Sequence, residues 1–144
     1  MFNSILVVCS GNICRSPIGE RLLQAQLPDK TIHSAGLSAL VDHPAESTAR
    51  EIALQHGLSL DGHRARQLNN AMCKQYDLIL VMEKRHLHDV CQIAPEAQGK
   101  IMLFGHWKNR QELTDPYGKS RELFELVFQQ LVESTIMWIQ ALKS

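Results

Sequence analysis

Ser4-Ile5-Leu6-Val7-Val8-Cys9-Ser10-Gly11-Asn12-Ile13-Cys14-Arg15-Ser16-Pro17 is the stretch whose reading decides the fold. Ile5 to Val8 form an apolar run that reads as a buried strand. Ser16 is a good N-cap, and Pro17 suits the first helical position because it has no N–H to leave unsatisfied. Gly11 and Asn12, between strand and helix, tolerate positive φ. The order is strand, tight loop, helix.

Such a loop can turn several backbone N–H groups inward as an anion nest, with a helix N-terminus adding positive potential. Arg15 adds a planar fork able to hold two oxyanion oxygens. The Cys9 thiol, at the start of the loop, is placed to attack a tetrahedral anion held there. Taken singly, each part has a plainer reading. Cys9 suits a small buried hydrophobe, Arg15 a surface charge and Ser16-Pro17 a mere helix start. The Cys-x5-Arg spacing alone is weak; joined to the strand, Gly-Asn and Ser-Pro, it points to phosphoryl chemistry.

Downstream the alternation of strands and helices continues. The first helix carries Ile18, Leu22, Ala25 and Leu23 and ends before Pro28. Thr31–Ala35 reads as a second strand stopped by Gly36. A helix from about Ser47 carries Ala49, Ile52 and Ala53, with Gly57 as its C′ residue. Residues 58–67 are irregular, and a short helix spans about 70–75. Asp77–Met82 is the strongest strand. A charged helix over 83–93 turns Leu87, Val90 and Cys91 inward, and Lys100–Phe104 is a fourth strand. After a long loop, Ser120 opens an amphipathic helix with Leu123, Val127, Leu131, Ile136 and Ile139 at helical spacing. Continuous apolar strands alternating with helices predict an α/β fold. The expected form is a single domain over 1–144, a three-layer sandwich with a four-stranded parallel sheet, helices on both faces and flavodoxin-like winding. Sites in such sheets lie beyond the carboxyl ends of the strands.

In the 144 residues, Lys plus Arg (15) balance Asp plus Glu (15), which argues against nucleic acid or an acidic membrane held by bulk charge. No stretch approaches the ~20 apolar residues of a membrane span, so no membrane insertion is expected. The start at Met1 leaves no room for a secretory leader, and a cytoplasmic protein is expected. Cys9, Cys14, Cys73 and Cys91 then read as thiols; no His/Cys cluster has zinc-site spacing, so neither a metal nor a cofactor is expected.

Cleaving a phosphomonoester also needs a proton for the leaving group. Asp115, in Thr114-Asp115-Pro116-Tyr117 after the fourth strand, is the candidate general acid, with Tyr117 as a wall for an aromatic ring. Turn chemistry alone also accounts for Asp-Pro-Tyr.

Cys9 to Pro17 closely resembles the N-terminal signature of the low-molecular-weight protein tyrosine phosphatases, and Asp115-Pro116-Tyr117 resembles their general-acid motif. His33-Ser34-Ala35-Gly36 and Gly62-His63-Arg64-Ala65-Arg66-Gln67 resemble further landmarks. Phe104-Gly105-His106-Trp107 and Met82-Glu83-Lys84-Arg85-His86 are most similar to the bacterial branch paired with capsule or exopolysaccharide tyrosine autokinases. The resemblance implies that Cys9 forms a phosphocysteine, that Arg15 and the loop N–H groups hold the phosphoryl oxygens, and that Ser16 donates a hydrogen bond to the thiolate. It makes Asp115 first acid, then base. Ser10, Gly11, Asn12, Ile13, Cys14, Leu40 and Tyr117 would line the substrate site, and Asn12, Ser34 and His63 would brace the loop. Cys14 would trap an oxidised Cys9 as a disulfide. The implied partner is a phosphotyrosine protein, the tyrosine-rich tail of a membrane-bound autokinase.

Two departures from the family pattern concern the substrate slot. Gly118 stands where many members carry a second aromatic, and Leu40 stands where eukaryotic members often carry an aromatic, which implies a flatter, more open rim. Three alternatives compete with this reading: a thiol-coupled arsenate reductase on this fold, a phosphocarrier, and a non-catalytic phosphotyrosine-binding module. The first needs a relay of two more cysteines near Cys9; the second has no use for Asp115; the third would be expected to lack the nucleophile or the acid. A net charge near zero leaves monomer or weak dimer open.

Overall fold

The computed structural model describes residues 2–143; Met1 and Ser144, the ends of the expected domain, lie outside them. Four strands, β1 (Ser4–Cys9), β2 (Thr31–Gly36), β3 (Leu78–Val81) and β4 (Ile101–Leu103), form one parallel sheet in the order β2-β1-β3-β4. This is the expected α/β fold with flavodoxin-like winding. The first strand is central, so the loop after it opens where the strand order reverses.

Side chains of β1 alternate between two cores. Ile5, Val7 and Cys9 face a core shared with α1 (Arg15–Gln26), α2 (Ser47–Gln55) and α5 (Arg121–Lys143). Leu6 and Val8 face the other layer, with Cys73 of α3 (Asn70–Lys74), Val90 of α4 (Lys84–Ile93) and Ala97 of the 3-10 turn Pro95–Lys100. Both central strands are buried almost throughout, as a sheet covered on both faces requires. The edge strand β2 is different: Thr31 and His33 are exposed. Among the described residues no helix is long and apolar enough to cross a membrane.

Several local expectations need correction. Helix α1 starts at Arg15 with Cys14 at the N-cap position and no side-chain cap, so Ser16 is not the N-cap and Pro17 is the third helical residue. Proline is tolerated there because the first four N–H groups of a helix have no partner within it. Strand β2 runs through Gly36, which pairs with Cys9, rather than stopping before it. In α1, Leu23 is fully buried and Ala25 exposed. In α4, His86 is fully buried while Leu87 and Cys91 are half-buried. In α5 the buried stripe runs Phe124, Val127, Phe128, Leu131, Ser134, Thr135, Trp138, and Ile136 is exposed. Ser134 and Thr135 interrupt the apolar pattern, which hides a stripe of regular i, i+3, i+4 spacing. Gly57 lies just past α2 with φ 80°, as a C′ residue should.

Candidate active site

The loop Ser10–Cys14 is shaped by what its carbonyls bond. The carbonyls of Cys9, Ser10, Gly11 and Ile13 accept from the backbone N–H groups of Leu37, Ser38, Leu40 and Glu46, at 2.8 to 3.1 Å. The Asn12 carbonyl accepts from His63 Nε2 at 2.6 Å. Five successive carbonyls thus point away from the loop centre. A trans peptide sets its N–H opposite its C=O, and no peptide here is cis, so the N–H groups of residues 10–14 turn inward. That is the anion nest.

One residue makes the reversal possible. Asn12 has φ 59°, in the left-handed region that few residues other than glycine adopt. Its side chain holds the turn from behind. Oδ1 accepts from the Arg66 N–H (2.9 Å), which fixes the orientation of the amide, and Nδ2 donates to Ser16 Oγ (2.7 Å) and Ser34 Oγ (3.0 Å). Ser34 in turn donates to Glu20 Oε1 at 3.2 Å. Because Ser16 Oγ already accepts from Asn12, its own proton is available to Cys9 Sγ, 2.9 Å away. Burial holds the His63 imidazole below the ordinary histidine pKa, so it stays neutral with its proton on the nitrogen facing Asn12. Burial also raises the Glu20 carboxyl.

Cys9, Ser10, Gly11, Ile13, Cys14, Arg15, Ser38, Leu40, Asp115 and Tyr117 line one cavity of about 230 Å³. Of the residues picked out from the sequence, Cys9, Ser10, Gly11, Ile13, Cys14, Arg15, Leu40, Asp115 and Tyr117 therefore come together. Ser16, Ser34 and His63 stand behind the loop, and the Asn12 side chain is directed there as well. Leu40 and Tyr117 are 39% and 54% exposed, so the apolar rim is open. Cys14 is buried, and burial pushes its thiol pKa up, with the neighbouring Cys9 acting in the same sense. Cys73 and Cys91 line no part of the cavity and belong to the layer of α3 and α4.

Arg15 is only 1% exposed, and a guanidinium so buried needs a counter-charge. Glu83, the residue capping α4, supplies it: Arg15 Nη1 lies 2.6 Å from Glu83 Oε2 and 2.6 Å from the Leu113 carbonyl. Arg15 Nη2 lies 3.6 Å from Asp115 Oδ2, while Arg15 Nε is buried without a partner in the protein. Asp115 Oδ1 accepts from the Tyr117 N–H (3.1 Å), a local turn that leaves Oδ2 facing the guanidinium. Glu83, His86 and the Leu113 carbonyl were not foreseen as site groups. Glu83 stands just past the carboxyl end of β3, and that position is the signal that marks it.

Among the described residues, no group of three or more His, Cys, Asp or Glu side chains is placed to hold a metal ion. The arrangement can hold a tetrahedral oxyanion between the loop N–H groups and Arg15, with a thiol on one side and a carboxyl at the mouth.

Known proteins carry the same arrangement of chain. The family described as low molecular weight phosphotyrosine protein phosphatase matches residues 4–144. The low molecular weight protein-tyrosine-phosphatase Wzb of Escherichia coli K12 is 56% identical over 144 residues, covering 100% of this chain and 98% of that protein. The probable low molecular weight protein-tyrosine-phosphatase AmsI of Erwinia amylovora is 57% identical over 142 residues, covering 99% of each. The crystal structure of Wzb from E. coli K30 in complex with sulphate superposes with a TM-score of 0.97 at 54% identity, over 99% of both chains. The chain belongs to the low molecular weight phosphotyrosine protein phosphatases and is a protein-tyrosine-phosphatase.

Proposed function

We propose that the protein hydrolyses phosphotyrosine through a phosphocysteine, acting on the tyrosine-rich cytoplasmic tail of a membrane-bound bacterial autokinase that controls exopolysaccharide or capsule production. Cys9 Sγ attacks phosphorus as the bond to the tyrosyl oxygen breaks, and Asp115 gives that oxygen its proton. Arg15 and the inward N–H groups of residues 10–14 hold the three equatorial oxygens and their growing charge. Ser16 donates to the sulfur, which stabilises it as nucleophile and then as leaving group. Asp115, now a carboxylate, takes a proton from water; the water oxygen bonds to phosphorus, the S–P bond breaks, and inorganic phosphate leaves. No cofactor enters either step.

The observation that carries this reading is the shared cavity of Cys9, Arg15 and Asp115, with Arg15 Nη2 3.6 Å from the Asp115 carboxylate. The sulphate bound by the E. coli K30 relative supports a tetrahedral anion as ligand. The open rim of Leu40 and Tyr117 suits an aromatic ring on a mobile peptide rather than a small buried metabolite. The protein would work in the cytoplasm as one domain, monomeric or weakly dimeric, without nucleic acid and without entering the membrane.

The test is phosphate release from phosphotyrosine and phosphoserine peptides with metals chelated. Turnover of phosphotyrosine alone, abolished in Cys9→Ser and slowed about 100-fold or more in Asp115→Asn, is expected. Wild-type protein that binds phosphate but turns over neither peptide would refute the reaction. Failure on the tail of a co-encoded kinase, with aryl phosphates still cleaved, would refute only the partner.

A further inference from the structure

Four side chains beside the cavity close into a ring. Arg15 Nη1 bonds Glu83 Oε2 at 2.6 Å; the other oxygen, Glu83 Oε1, accepts from Arg85 Nε at 3.1 Å. Arg85 Nη2 and Arg15 Nη2 then both approach Ser10 Oγ, each at 3.4 Å. Beneath the ring lies His86, fully buried, its Nδ1 accepting from the Glu83 N–H (3.2 Å) and its Nε2 3.4 Å from Ser10 Oγ. A histidine that accepts at Nδ1 carries its proton on Nε2, so it presents a donor to Ser10. Both oxygens of Glu83 are therefore held, one by each arginine, and its main chain is held by His86.

The ring decides how Arg15 can meet a ligand. A guanidinium has two bidentate edges besides its single tip, and a phosphoryl group uses one edge. The Nη1 group is taken by Glu83 and by the carbonyl of Leu113, two residues before Asp115. What remains is Nη2, with only the long contacts to Ser10 and Asp115, and Nε, which is buried and unpartnered.

We infer that Glu83, fixed by Arg85 and His86, is a positioning residue that turns the Nε–Nη2 edge of Arg15 toward the phosphoryl oxygens and, through the Leu113 carbonyl, sets that edge against the Asp115 loop. The inference rests on the reading of Cys9, Arg15 and Asp115 as the reacting site. It differs from a simple counter-charge in a measurable way. A negative Glu83 repels a phosphate dianion, so if charge were its only effect, removing it would tighten anions and help the reaction. If it aims the fork, removing it costs mainly the transition state, where the oxygens spread into a plane and alignment matters most.

The experiment is steady-state hydrolysis of an aryl phosphate by wild type, Glu83→Ala and Glu83→Gln, with inhibition by inorganic phosphate and by orthovanadate, which adopts the five-coordinate geometry. For Glu83→Ala the expected result is kcat down about 100-fold with KM within about threefold, and vanadate weakened about tenfold more than phosphate. Glu83→Gln keeps an oxygen for Arg15 Nη1 and should recover about tenfold of the lost kcat. Wild-type kcat in Glu83→Ala, or phosphate and vanadate tightened equally, overturns the inference. If Glu83→Ala fails to fold, an unchanged kcat in Glu83→Gln overturns it instead. A wild type that releases no phosphate from phosphotyrosine would sink the underlying reading, a result distinct from any of these.

Discussion

Replacing Asn12 by alanine isolates what it takes to hold the loop. The side chain makes three hydrogen bonds, to Ser16, Ser34 and the Arg66 N–H, in surroundings where the residue is fully buried. At about 1 kcal/mol net for each, their loss costs about 3 kcal/mol. Alanine at φ 59° adds about 1–2 kcal/mol of left-handed strain, partly present already for asparagine, so about 4 kcal/mol is expected in all. Asn12→Gly loses the same bonds without that strain but has more chain entropy to lose on folding, about 0.5–1 kcal/mol. It should therefore be roughly 0.5–1 kcal/mol more stable than Asn12→Ala. Urea unfolding followed by fluorescence of Trp107 and Trp138 reads both variants. With a slope of about 2 kcal/mol per molar, the alanine midpoint should fall by about 2 M. A loss below about 1 kcal/mol, or alanine more stable than glycine, would show that the turn is held by the backbone bonds of residues 37–46 and not by Asn12.

Two more perturbations probe the supports of the site. A Cβ on Gly36 would stand 2.7 Å from the Ser10 carbonyl oxygen and 3.0 Å from the Asn12 nitrogen, so Gly36→Ala should cost about 1–3 kcal/mol and lower kcat by pushing the loop off β2; unchanged kcat would mean the loop yields freely. His86 is held down to a pKa of about 4, by burial and then by the positive charge of Arg15. The unfolded chain takes up a proton near pH 6.5 that the native state refuses until about pH 4, so this residue's contribution makes stability fall as pH drops through that window, by at most about 1.4 kcal/mol per pH unit. His63 and His33, also lowered by burial, act in the same sense. Burial works against the charge of Glu83, but its bonds from Arg15 and Arg85 win and its pKa is lowered, so its contribution is lost only as pH falls below the ordinary glutamate value and on through the lowered one. Urea midpoints at pH 5 and pH 7 should differ less in His86→Gln than in wild type; equal differences would refute the assignment.

The sheet, its winding and the pairing of Cys9 with Asp115 were legible because each is written locally: an apolar strand, a Gly-Asn loop, a Ser-Pro helix start and an Asp-Pro turn beyond another strand. Ser16 was misplaced as an N-cap because local rules know only the helix, whereas its hydroxyl is committed to Cys9 and Asn12. The stripe on α5 was misread beyond Leu131 because two buried hydroxyl residues interrupt it. Glu83 and His86 lie in a stretch that the sequence marks only as a family landmark, and their place in the site is hidden for a different reason. Their partners are Arg15 and Ser10, about seventy residues away in the chain, and only the parallel pairing of β1 with β3 brings them together.

The outward carbonyls of residues 9–13 are each bonded to the scaffold by groups that take no part in holding an anion. The cradle consequently has its final shape before anything enters it. Ordering a free loop residue on binding would cost about 1–2 kcal/mol, and five residues here escape that charge. The same rigidity gives the enzyme no means of telling incoming ester from departing phosphate by loop closure. On the proposed mechanism, discrimination falls to the leaving group alone, to the ring at the open rim and the proton Asp115 would supply, and inorganic phosphate should compete with substrate as an intrinsic brake on turnover.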